Sequence, residues 1–258
     1  MGAFALVTSE FLPIGLLPDI ARDIGVTHGQ AGLMVTLPGV LAALAAPLSV
    51  HFAGGLERRR VLLILLALLV VSNLVVALSS SFLVVLFGRA LLGIAIGGFW
   101  SIAGALGPRL RPGPDGVRAA AVILGGVSLG TVAGLPAGAL MGELLGWRYA
   151  FGASAVLAAI AIGAIFALLP IVQPIASAGL RDMIALLRQG KSRTALLAAS
   201  VMYTGTFGAY TYVAPFLSQQ AGIAGEMLSL LLFASGAAGL RATCLVAHSP
   251  VEAPINHS

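Results

Sequence analysis

Long apolar runs broken by short polar punctuation dominate the chain, and each run is long enough to predict a membrane-crossing helix. The runs are Met1 to Leu17, Gln30 to Ala53, Val61 to Leu78, Phe82 to Leu106, a fifth entered from the loop Gly107 to Arg118 and closed at Arg148, Tyr149 to Leu169, Thr194 to Leu217, and Glu226 to Leu240. At ~20 residues per crossing this predicts about eight spans. The first run measures only about 26 Å as a helix and carries Pro13 and Gly15, which predict a kink. The second carries Pro38 and Pro47. Asp19, Arg22, Asp23 and His28 mark the first turn, Glu57 to Arg60 the second, and Ser79 to Ser81 the third. Pro170 to Arg193 is the longest polar stretch, read as a linker in which Asp182 to Leu187 forms a short surface helix.

Within the fifth run, Gly126, Gly130, Gly134, Gly138 and Gly142 recur every fourth residue. Each step of four drifts only about 40° around a helix, so the glycines make one slowly winding stripe. In water each glycine would weaken a helix by about 1 kcal/mol relative to alanine. In lipid the backbone has no other partner, and a stripe of small residues lets a neighbouring helix approach closely. Pro136, inside the stripe, removes a backbone donor and predicts a bend. The stripe is a packing and hinge element without chemistry of its own.

Composition agrees: 59% of the 258 residues are hydrophobic and 9% are charged, far below the roughly 25% of a soluble domain. The net charge of +5 does not point to nucleic acid, because the basic residues fall between apolar runs. The loops after spans two, four and six hold ten of the fourteen Lys and Arg residues: Arg58, Arg59, Arg60, Arg109, Arg111, Arg118, Arg181, Arg188, Lys191 and Arg193. The loops after spans one, three, five and seven hold Arg22 and Arg148. By the positive-inside rule the former are cytoplasmic, and so is the N-terminus. The single cysteine, Cys244, excludes an internal disulfide framework and a cysteine-rich metal site. The histidines are isolated, and no phosphate loop or nucleophile–base arrangement is present, so no catalytic residue, metal or cofactor is expected. The first run is not read as a signal peptide, since no basic segment precedes it and Glu10 interrupts it.

Two charged residues lie deep inside spans. Glu10 is costly when ionised in lipid, so it is expected to face an aqueous cavity or to lie near a membrane face. Arg89 is permanently charged and needs a carboxylate or carbonyl partner; Glu10 is the candidate acid in the first six spans. The seventh run is rich in hydroxyls, and Tyr203, Thr204 and Tyr210 are candidates for lining a substrate cavity, with interfacial anchoring or packing as the alternative. Trp100 and Trp147 are expected at membrane interfaces.

Several of these segments carry a family likeness. G-L-P-A-G-A followed by G-W-R-Y-A-F resembles the fifth-helix antiporter motif of major facilitator superfamily efflux proteins, in particular the drug and arabinose-type sugar efflux branch. T-S-E-F-L-P-I-G-L-L-P-D-I-A resembles the first helix of that branch, and R-A-L-L-G, beginning at Arg89, its fourth-helix motif. G-G-L-E-R-R-R resembles the cytoplasmic loop signature between spans two and three, but Glu57 stands for aspartate and the glycine before the final basic pair is missing.

The resemblance implies an all-α membrane protein: a helical bundle with a six-helix N-terminal half (1–169), a cytoplasmic linker (170–193) and a partial second half (194–240). It implies a monomeric, multi-pass proton antiporter of the bacterial inner membrane, exporting a drug or a sugar. Glu10 and Arg89 would couple protons, and Glu57, Arg58 and Arg60 would gate. The glycine stripe with Pro136 would pack on the small residues Ser235 to Gly239 of the eighth helix. The tail 241–258 departs from the family pattern, which continues the eighth helix with G-N-x-x-G-G, and a frameshift near Leu240 is expected. A transport-inactive fragment of such a protein is the alternative.

Overall fold

The computed structural model describes residues 1–52, 55–103, 114–171 and 185–220, with the single positions 234, 238 and 241. Every element among them is helical: α1 Gly2–Ile24, α2 His28–Ala31, α3 Leu33–Phe52, α4 Arg58–Leu78, α5 Phe82–Ala103, α6 Pro114–Leu129, a π-helical turn Gly130–Gly134, α7 Leu135–Leu145, α8 Trp147–Leu168 and α9 Gly190–Gln220. Seven of the eight predicted spans therefore appear as helices, while the eighth falls almost wholly outside the described residues. Among those residues, α1, α2 with α3, α4, α5 and α8 are long and apolar enough to cross a membrane. Exposed Val40, Leu44, Leu83, Phe87 and Ile160 turn apolar side chains outward, as a lipid-facing surface requires. The helix α9 starts at Gly190, inside the segment expected as linker.

The helices pack as a bundle in which α1 touches α8, the π turn, α6 and α7, while α5 lies against both α3 and α4. Two apolar clusters stack along the bundle. One gathers Ala3, Leu6, Leu62, Leu66, Leu69, Leu92 and Phe99. The other gathers Leu12, Leu16, Ile20, Met34, Val76, Val85 and Phe151. On α1, α4 and α5 alike, the chain passes from one cluster to the other through polar residues: Ser9 and Glu10, Ser72 and Asn73, and Arg89. A polar layer thus crosses the middle of the bundle.

Among the described residues, the glycine stripe packs on α1, a partner that the sequence pattern did not name. A Cβ on Gly130 would meet Val7 Cβ at 3.0 Å and Phe4 O at 3.1 Å, and one on Gly134 would meet Thr8 Oγ1 at 2.8 Å. Gly138 and Gly142 face Leu12 and Leu16. At Gly130 and Gly134 glycine is required, because the backbone of α1 lies where side chains would otherwise stand. A π turn, Gly130–Gly134, ends two residues before Pro136, and its wider winding suits a site followed by a residue unable to donate. Of the small residues expected opposite the stripe, Ser235, Gly236, Ala237 and Gly239 lie outside the described residues.

At one end of the bundle, Gly146 takes φ +97°, a conformation that side chains rarely adopt, and opens α8. Trp147 is buried there: its indole N–H donates to Asp23 Oδ2 at 3.1 Å. Arg148 pairs with the same carboxylate, donates to Ser79 O at 3.1 Å, and stacks on the Trp147 ring at 4.2 Å. The G-W-R segment therefore ties α1, α4 and α8 together. At the other end, Arg59 donates to Phe166 O at 2.5 Å and lies over the Phe166 ring.

Candidate functional site

The polar layer centres on Arg89, 1% exposed and the largest fully buried side chain. Its Nε donates to Met34 O at 2.7 Å, Nη1 to Ser9 O at 2.8 Å and Nη2 to Glu10 O at 3.1 Å. Two of these acceptors have a local cause. Pro13 has no N–H to offer the carbonyl four residues back, which is that of Ser9. Pro38 likewise leaves the carbonyl of Met34 without its helical donor. One guanidinium satisfies both orphaned carbonyls and thereby joins α1, α3 and α5. Hydrogen bonds to a charged donor are worth about 1.5–3 kcal/mol each, twice an ordinary one.

Of the two kinds of partner expected for Arg89, the carbonyl is therefore the one found. The half-buried Glu10 carboxylate acts on the guanidinium electrostatically, but among the described residues the two side chains form no ion pair. Among the described residues, the carboxylate stays free of direct pairing beside a fixed positive charge. Such a group can accept and release a proton without breaking the hydrogen bonds that hold the arginine.

Two adjacent residues escaped the sequence reading. Ser72 donates to Gly88 O at 2.6 Å, and Asn73 Nδ2 donates to Ser9 Oγ at 2.9 Å. Ser9 gives its own hydroxyl proton to Ala5 O at 2.9 Å, which leaves a lone pair for the Asn73 amide. Asn73 Oδ1 and Thr8 Oγ1 are buried without a hydrogen-bond partner, each at a cost of about 1–3 kcal/mol. The available signal was contrast: Ser72 and Asn73 interrupt the most apolar of the candidate spans.

The other predicted residues lie apart from this layer. Glu57 and Arg60 form a local ion pair at 3.1 Å at the start of α4, and Arg58 is buried. Tyr203 and Thr204 are exposed on α9, and the side chain of Tyr210 lies outside the described residues. Among the described residues, no cluster of three or more His, Cys, Asp or Glu side chains could hold a metal ion.

A multi-helix membrane bundle with a charged layer at its centre defines the class: the chain belongs to the Major Facilitator Superfamily, whose model matches residues 1–248. That match runs eight residues past Leu240, the expected break. The chain is 41% identical over 248 residues to the "Transcription regulatory protein OpdE" of Pseudomonas aeruginosa, covering 95% of this chain and 62% of that protein. It is 35% identical over 240 residues to the "Purine ribonucleoside efflux pump NepI" of Shigella sonnei and of Escherichia coli K12, covering 93% of this chain and 61% of theirs. It therefore spans about three-fifths of the length of these curated relatives. The crystal structure of the human organic anion transporter MFSD10 (TETRAN) shares the fold, with a TM-score of 0.72 at 22% identity over 95% of this chain and 70% of that one.

Proposed function

We propose that the protein is part of a secondary efflux transporter that exports a small molecule across the bacterial inner membrane in exchange for protons. Alternating access moves two helical halves about a central site. The observation that carries this function is the Glu10 carboxylate, held in a mid-bundle polar layer beside Arg89 yet unpaired with its side chain. Glu10 is the proton carrier, and Arg89 is the fixed charge beside it. The N-terminus is cytoplasmic, which puts Glu57, Arg58 and Arg60 at the cytoplasmic end as a gate. The hydroxyl-bearing Tyr203, Thr204 and Tyr210 of α9 contribute to the substrate cavity.

The relatives named as purine ribonucleoside efflux pumps make purine ribonucleosides the first substrate class to test, ahead of lipophilic drugs and sugars. Proteoliposomes carrying the chain, given an inward or outward proton gradient, should exchange a labelled purine ribonucleoside for protons. Glu10→Gln should abolish proton-driven exchange while leaving the protein in the membrane; unchanged coupling would reduce Glu10 to a structural residue. The second reading is a transport-inactive portion of such a protein, favoured by its three-fifths coverage of the relatives. Absence of any exchange across all three substrate classes decides for it.

A further inference from the structure

Resting on the transporter function above, we propose that Ser72 and Asn73 of α4 are positioning residues that brace the Glu10–Arg89 pair. Each grips the residue immediately before one member of that pair. Asn73 holds the Ser9 hydroxyl, next to Glu10. Ser72 holds the Gly88 carbonyl, next to Arg89. All four residues of this frame are buried, with Ser9 at 0% and Ser72, Asn73 and Arg89 at 1% exposure.

The geometry explains why α4 is suited to the task. Gly88 lets α5 approach so closely that a Cβ there would sit 3.1 Å from Ser72 O, bringing the Ser72 hydroxyl within reach of the next backbone. A serine and an asparagine side by side on a helix point about 100° apart, so one can address α5 while the other addresses α1. The two bonds fix helix-to-helix height at the level where Arg89 reaches Ser9 O and Glu10 O. A slip of α1 against α4 would carry the Glu10 carboxylate along the axis relative to the guanidinium. Among the described residues, Arg89 is the charged group acting on Glu10, so this one distance governs the coupling. Simple stabilisation of a buried polar group would not need both bonds to flank the charged pair.

The test uses Asn73→Leu, Ser72→Ala, the amide-preserving Asn73→Gln and the double variant Ser9→Ala/Asn73→Leu in proteoliposomes. Proton-driven exchange should fall about tenfold in Asn73→Leu, the factor expected for one lost hydrogen bond. Substrate counterflow at equal pH on both sides, which moves no net proton, should stay within about twofold. Asn73→Gln should recover part of the loss. The double variant should be no worse than Asn73→Leu alone, because both act through one bond. Equal losses in exchange and counterflow would overturn the brace, since misfolding or loose packing lowers both. If the unsubstituted chain neither exchanges nor counterflows, the transporter function fails first. The brace is then decided by carbodiimide labelling of Glu10, read by mass spectrometry. A labelling rate altered about threefold or more in Asn73→Leu upholds it, and an unaltered rate overturns it.

Discussion

Two glycine-lined interfaces in this bundle look alike in sequence and differ in what they touch. On α5, Gly93 and Gly97 face the backbone of α3. A Cβ on Gly93 would lie 2.6 Å from Pro38 O and 2.9 Å from Pro38 Cα, and one on Gly97 would meet Ala42 O, with Ala46 N at 2.9 Å. On the fifth span, Gly138 and Gly142 face the outer methyls of Leu12 and Leu16, while Gly130 and Gly134 approach backbone atoms, Phe4 O and Thr8 Cα, each at 3.1 Å. Backbone cannot rotate away, whereas a leucine methyl can. The rigidity of the opposing atom, rather than the length of the glycine stripe, decides how strictly glycine is required.

The largest effect therefore belongs to Gly97→Leu. It should force α5 off α3 and cost about 3 kcal/mol or more, the upper end for overpacking. A thermal unfolding midpoint in detergent should fall steeply, and a midpoint like that of the unsubstituted chain would break the contrast between the two interfaces. Gly134→Leu comes next, at about 1–3 kcal/mol. It should insert normally, because leucine favours insertion, while exchange is impaired. Normal exchange in that variant would mean that the stripe faces lipid.

The two interfaces also share a device, because each contains a proline that frees a carbonyl for Arg89. Pro13→Ala returns an N–H to α1 that competes for Ser9 O. The restored helical bond should offset the lost one, leaving stability within about 1 kcal/mol while proton-driven exchange drops severalfold. Equal activity would show that Met34 O and Glu10 O hold Arg89 well enough alone. The smallest effect is expected for Gly138→Ala. Leu12 can turn aside, and the added methyl recovers up to about 1 kcal/mol of helix propensity, so the midpoint should hardly move. A loss as large as that of Gly134→Leu would show that Leu12 is locked.

Much was legible along the chain. The spans followed from apolar run length, because lipid forces each crossing to close its own backbone hydrogen bonds. Glu10 and Arg89 stood out because charge in such runs is costly, and the fourfold glycine repeat announced close packing. Other features were present but unranked: Gly93 and Gly97 are also four apart, and Ser72-Asn73 breaks the most apolar helix, yet neither pair forms a long pattern.

By itself, the sequence determined which segments are apolar enough to cross a membrane, that prolines fall in the first two spans, and that a buried arginine must find acceptors. Tertiary structure alone decided which acceptors those are, that α1 lies on the stripe, and that Trp147 is buried against Asp23. The physical reason is range. Hydrophobicity and a missing N–H are properties of a few neighbouring residues. The partner of a freed carbonyl depends on which helix stands beside it and at what height, and only the assembled bundle sets Arg89 level with both Ser9 and Met34.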